Sequence, residues 1–99
     1  MKILQVVPRR TNKKSLKQQL IGKERELRGR TTFVRKRAGR WQHLKYPGWI
    51  AWDEASGGLL VAEIHSRQAD GEWKLLQSFI GYLDRHLADQ IETITVFYR

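Results

Sequence analysis

The residues best equipped for chemistry stand in two groups. The apolar run LLVAEIH closes on Glu63 and His65, a carboxylate and an imidazole, and the imidazole is of the type that serves as general base or metal ligand. The second group is cationic: Lys13, Lys17, Arg25, Arg28, Arg35, Lys36, Arg37 and Arg40, followed directly by Trp41. Such cations neutralise phosphates and release their counterions, and an aromatic ring among them offers a surface for stacking a base. Phosphate contact is the expected chemistry, with a hydrolytic centre at Glu63 and His65 as the second reading.

The charge distribution supports that order. The chain of 99 residues carries a formal charge of +9, but residues 1–46 hold 15 Lys and Arg against Glu24 and Glu26, a net of +13, while residues 47–99 sum to −4. A field so polarised draws a polyanion to the first half, and nucleic acid, DNA or RNA, is the expected partner. An acidic protein docking on the same half, or a second copy pairing at a sheet edge to give a homodimer, is the alternative.

Other chemistries are poorly supplied. The absence of cysteine removes disulfides and thiolate metal ligation and suits a reducing, cytoplasmic setting. No apolar run approaches the ~18 residues of a membrane span, and no membrane partner is expected. His43, His65 and His86 fall in separate elements without ligand spacing, and Ser66 neighbours His65 on a strand, where adjacent side chains point to opposite faces. Neither GxxxxGK nor GxGxxG occurs, and Gly57-Gly58 fits a tight hairpin turn. No cofactor is implied apart from a divalent metal in the hydrolytic alternative.

These residues need elements to hold them. The start, MKILQVVPRR, predicts a short strand stopped by Pro8, at a sheet edge, or else a basic arm over residues 1–12. Ser15 and Gln18 have capping-box spacing, Leu16, Leu20 and Leu27 lie near one helical face, and Gly29 ends the pattern, so a helix is predicted over about 13–28. TTFVRKRAGRWQHLKY predicts a hairpin about Ala38-Gly39. With Arg37 opposite Arg40, the pairs Phe33–Leu44 and Val34–His43 follow, which puts Val34, Trp41 and His43 on one face with Lys36 and Lys45. WIAWD and LLVAEIH form the next hairpin, apolar on both faces and therefore expected to be covered on both. Asp70 is placed to cap a second helix whose stripe comprises Trp73, Leu76, Phe79, Ile80, Leu83 and Leu87, and IETITVFYR reads as a last strand. Gly81, unfavourable within a helix, points to close packing against a strand or another subunit. The fold class is α+β: one domain over residues 1–99, an antiparallel β-meander with two helices in the order (β)αβββ(β)αβ.

This order resembles the core of the PD-(D/E)XK nuclease-like superfamily over about residues 13–98. The resemblance aligns Glu63-Ile64-His65 with that family's acidic-X-Lys triplet, His65 replacing the lysine, and Pro47-Gly48 with its Pro-Asp, where the metal-binding aspartate is missing. It implies that Glu24, on the first helix, completes an acidic set, and QSFIGY is similar to the Gln and Tyr one branch carries on the following helix. The catalytic residues so implied are Glu24, Glu63 and His65, in a nuclease-like fold that binds nucleic acid without a full catalytic apparatus or, alternatively, acts as a metal-dependent nuclease.

Overall fold

The computed structural model describes residues 1–99, apart from the side chain of Ala69. Strands β1 (Lys2–Pro8), β2 (Phe33–Arg37), β3 (Arg40–His43), β4 (Trp49–Glu54), β5 (Leu60–His65) and β6 (Ile91–Tyr98) form one sheet ordered β2-β3-β4-β5-β1-β6, every pair antiparallel. Helix α1 (Leu16–Leu27) joins β1 to β2, and α2 (Ala69–Leu87) joins β5 to β6. The α+β class and the meander β2 to β5 are as the sequence predicts. No helix among the described residues is long and apolar enough to cross a membrane.

The first strand is not at an edge. It lies between β5 and β6, with Leu4 and Val6 fully buried, and its pairing with β6 shifts register between Val7 and Pro8, after which Pro8 faces Ile91 and the Arg9 amide donates to the Gln90 carbonyl at 3.0 Å. The two edges are β2 and β6. Helix α1 starts at Leu16, three residues later than predicted, because the Ser15–Gln18 capping box fixes its first turn: the Ser15 hydroxyl accepts from the Gln18 amide at 3.1 Å and the Gln18 side chain accepts from the Ser15 amide at 3.2 Å. Gly29, at φ +80°, follows its end.

Both helices bury their apolar stripes against one sheet face. Leu16 and Leu20 of α1 and Leu75, Leu76, Phe79 and Leu83 of α2 meet Leu4, Val6, Ile50, Trp52, Ala62 and Ile64. The stripe of α2 runs through Leu75 rather than Trp73, which is 45% exposed, and Gln68 rather than Asp70 holds the N-cap position, without a side-chain hydrogen bond. Gly81 is exposed, with open space where a Cβ would stand, so it marks no close packing. The opposite sheet face carries Trp49, Ala51, Val61, Glu63 and His65, all half-buried, and among the described residues no helix lies on it. The central hairpin is thus covered on one side, and its second apolar row gains shelter from neighbouring side chains alone.

The first hairpin departs from its predicted register. Arg37 does face Arg40, but a bulge at Lys36 makes Arg35 face Trp41, Val34 face Gln42 and Phe33 face His43. One extra residue moves the side chains beyond it to the other face. Trp41 and Phe33 therefore point together into the core, with ring centroids 5.9 Å apart, and Trp41 meets Trp52 and Tyr82 edge-on at 5.7 and 5.4 Å. Strand β3 ends at His43, and Leu44 stands 71% exposed beyond it.

Candidate functional site

The hairpin tip creates a concavity. Only Arg40 and Trp41 of β3 pair with β4, and past them Gly39, at φ +70°, lays its carbonyl against β4 to accept the Trp52 amide at 2.8 Å. Beyond that contact β4 has a free edge, and a hollow of about 690 Å³ opens between this edge, the tip and the flank of α1. Trp41 and Trp52 form its floor. The indole Nε1–H of Trp52 is buried without an acceptor, as is the Tyr82 hydroxyl beneath the same helix. An unsatisfied buried donor costs about 1–3 kcal/mol.

The lining of the cleft is mixed in sign. Lys17 and Arg25 of α1, Arg28 just past its end and Arg35 of β2 bring cations to the lining, while Asp53, Glu54 and Glu63 of β4 and β5 bring carboxylates, Glu54 and Glu63 from opposite faces of the sheet. Two of these cations are already paired. Lys17 reaches across to Asp53 at 3.0 Å, and this hydrogen bond, helped by the Glu54 amide, holds the Asp53 carboxyl below its ordinary value. Arg28 grips Glu24, four residues back on the helix, with its Nε 3.0 Å from one carboxylate oxygen and its terminal amine on the other. Arg25 and Arg35 have no carboxylate partner among the described residues.

Glu24 is the buried ion among the described residues, only 5% exposed at the edge of the aromatic cluster. Its bond to Arg28 holds the carboxyl below its ordinary value against the opposing effect of burial, and the charges of Arg28, Arg35 and Arg25 act in the same direction as that bond. Burial pushes the Tyr82 phenol up to about 12, with smaller contributions from Glu24 and Glu26. Glu24 is thereby a structural anion: it holds Arg28 at the cleft mouth.

The other cations fall in two places. Lys36 lies at the bulge and Arg37 and Arg40 at the tip, outside the lining of the hollow, and the Arg37–Arg40 pair sets like charges opposite each other. The Arg40 guanidinium lies 4.6 Å above the Trp49 ring on the open sheet face. Lys13 is apart from these, in a shallower groove between α1 and the end of α2. Trp41 is 1% exposed and cannot stack a base. Nor is His43 a free imidazole: its Nδ1 accepts the amides of Lys45 and Tyr46 at 2.9 and 3.2 Å, organising the loop after β3, and burial lowers its pKa.

Glu24 and Glu63 share the cleft, whereas His65 stands beside it, with Nε2 3.0 Å from Glu63 and its ring stacked on Trp49 at 4.8 Å. The residue opposite Glu63 is Ala51, because β4 and β5 pair Trp49 with His65 and Ala51 with Glu63. Gly48 itself is closed to any side chain: at φ +112°, a Cβ there would collide with the His65 carbonyl oxygen. The aspartate missing from Pro47-Gly48 therefore has no place at that position in this backbone. Among the described residues no group of three His, Cys, Asp or Glu side chains is placed to hold a metal ion.

Comparison with known proteins adds no family. The chain matches no protein-family model, no curated protein and no solved structure. Its site rests on its own geometry, in which Trp49 and Trp52 have a part that the sequence reading does not give them. The signal was present in WIAWDE, since alternation along a strand sends Trp49 and Trp52 to opposite faces.

Proposed function

We propose that this protein binds nucleic acid through the phosphates, using the wall formed by Arg25, Arg28 and Arg35, with Lys36 and Arg37 further along the hairpin. The observation that carries the reading is the convergence of cations from two separate elements on one cleft, with Arg25 and Arg35 lacking any carboxylate partner among the described residues. Repulsion among these groups is tolerated at the surface of a folded domain and is released when phosphates replace their counterions. Lys17 and Glu24 shape the wall: the first ties α1 to the end of β4, and the second orients Arg28.

The test separates placement from total charge. Arg25→Ala with Arg35→Ala removes two cations from the wall, and Arg67→Ala with Arg85→Ala removes two exposed cations elsewhere. At low salt, fluorescence anisotropy with a labelled oligonucleotide is expected to show affinity falling about tenfold or more for the first variant and little for the second, since each lost phosphate contact also lowers counterion release. Equal losses in the two variants, or no binding by the wild type, refute the proposal.

A further inference from the structure

The two edges of the sheet are defended unequally. Strand β2 carries Arg35, Lys36 and Arg37 and a bulge at Lys36, features that turn away a further strand. Strand β6 is eight residues long, has no charged side chain from Thr93 to Tyr98, and leaves Phe97 and Tyr98 43% and 70% exposed. Its register shift with β1 is confined to the end near Pro8, so the ladder is regular from Thr93 to Tyr98. That ladder fixes which backbone groups are free. The Arg99 amide donates to the Met1 carbonyl at 3.1 Å, and these two residues flank the Tyr98–Lys2 pair, which is therefore a non-hydrogen-bonded pair. Alternation then turns the amides and carbonyls of Ile94, Val96 and Tyr98 away from β1, toward an edge where no other strand lies among the described residues.

We propose that β6 pairs antiparallel with β6 of a second copy about a two-fold axis through Val96, joining two six-stranded sheets into one. Such an axis is perpendicular to the sheet and keeps every residue on its own face, so only residues of the same face meet. Centred at Val96, the pairing sets Val96 against Val96 and Ile94 against Tyr98 on the face that bears the helices, and Thr95 against Phe97 on the other. All three residues with free backbone groups then meet one another, and the Ile94–Tyr98 contact is a favourable aromatic and β-branched pair. Centred at Thr95 instead, the pairing would set Tyr98 against Glu92, a carboxylate that the register shift leaves without a partner on β1. The opposite edge is the poorer partner: β2 of another copy offers three cations and a bulge, and a β6–β2 contact leaves the row of copies open, whereas β6 with β6 closes after two. Charge favours the same choice, because β6 lies at the far end of the sheet from β2, and the neighbouring Lys2 and Arg9 are paired with Glu72 and Glu92. The cationic surfaces of the two copies thus lie at the outer ends of the joined sheet. This inference stands apart from phosphate binding and does not depend on it.

Sedimentation equilibrium without nucleic acid, from about 1 μM to about 1 mM protein, is expected to show the wild-type mass rising from 11.7 kDa toward twice that value and no further. Thr95→Lys, at an exposed side chain, sets a charge against Phe97 of the second copy and is expected to raise the dissociation constant about tenfold or more; circular dichroism confirms that the variant is folded. The register has its own readout, because the chain contains no cysteine. A mixture of Thr95→Cys and Phe97→Cys proteins is expected to form a disulfide between the two variants under mild oxidation. Thr95→Cys alone does not, since the two copies of that residue lie two positions out of register, beyond disulfide reach. A wild type that stays at 11.7 kDa throughout, growth beyond two copies, a Thr95→Lys dimer as stable as that of the wild type, or a Thr95→Cys protein that cross-links with itself as readily as the mixture overturns the inference. None of these outcomes bears on phosphate binding, which oligonucleotide anisotropy reads separately.

Discussion

Gly39 and Gly57 provide a paired test of the hairpin tip, and through it of the cleft. Both have nearly the same backbone conformation, φ +70° and φ +76°, so alanine at either position meets the same left-handed penalty, roughly 1–2 kcal/mol. They differ in their surroundings. A Cβ on Gly57 has nothing within 4 Å, whereas one on Gly39 would lie 2.6 Å from the Trp52 carbonyl oxygen, a backbone atom unable to rotate aside. Gly39→Ala must therefore push the tip from β4 and weaken the Trp52 N–H to Gly39 carbonyl bond of 2.8 Å, a net contribution of about 0.5–1.5 kcal/mol. The expected loss is about 2–4 kcal/mol at Gly39 against about 1–2 kcal/mol at Gly57. For a chain of this size each kcal/mol lowers Tm by about 4–8 °C, so thermal unfolding followed by circular dichroism resolves the difference. Equal losses in the two variants would mean that the tip does not rest on β4 and that the cleft lacks the wall described here.

Three further outcomes follow from the same geometry. Trp41→Ala should cost about 3–5 kcal/mol in a urea titration, as a buried aromatic does; a variant that loses oligonucleotide affinity with unchanged stability would return Trp41 to the surface. Arg28→Ala leaves the Glu24 carboxylate buried without its partner, and the sign of the pH effect follows. In the wild type the lowered Glu24 pKa contributes stability that is present above the ordinary carboxylate value of 4.5 and lost as pH falls through the folded value. With the Arg28 bond and charge gone, burial is opposed only by the charges of Arg35 and Arg25 and the variant's Glu24 pKa rises, so its stability deficit should be largest near pH 7 and shrink toward pH 4 in Tm measurements across that interval; a constant deficit would contradict the pairing. Gly81→Ala, in open space on α2, should raise stability by about 1 kcal/mol, and a decrease would indicate the close packing that the structure lacks.

The sequence was most legible where local chemistry and burial agree. The Ser15–Gln18 box and Gly29 bracket α1, and the spacing of Leu76, Phe79, Leu83 and Leu87 identifies α2, because each pattern depends on residues within a turn or two of one another. Pairing was less legible. A bulge at Lys36 leaves no mark in composition, yet it turns Trp41 from a surface ring into the centre of the aromatic core. The place of β1 between β5 and β6 is likewise a long-range outcome: KILQVVP reads the same at an edge as inside a sheet. For the site, the run of cations was evident, but their sorting was not. Lys17 and Arg28 are held by Asp53 and Glu24, Arg25 and Arg35 have no carboxylate partner among the described residues, and Lys13 lies in another groove, all of which depends on how α1 sits against β4.

The most direct measurement of the central claim is the salt dependence of oligonucleotide affinity in the wild type and in the Arg25→Ala, Arg35→Ala variant. If those two guanidinium groups each neutralise a phosphate, log Kd rises with log salt concentration in both proteins, and the slope of the variant is shallower by about 1.4, at about 0.7 per contact on a single strand. Parallel lines for the two proteins, or an affinity indifferent to salt, would contradict it.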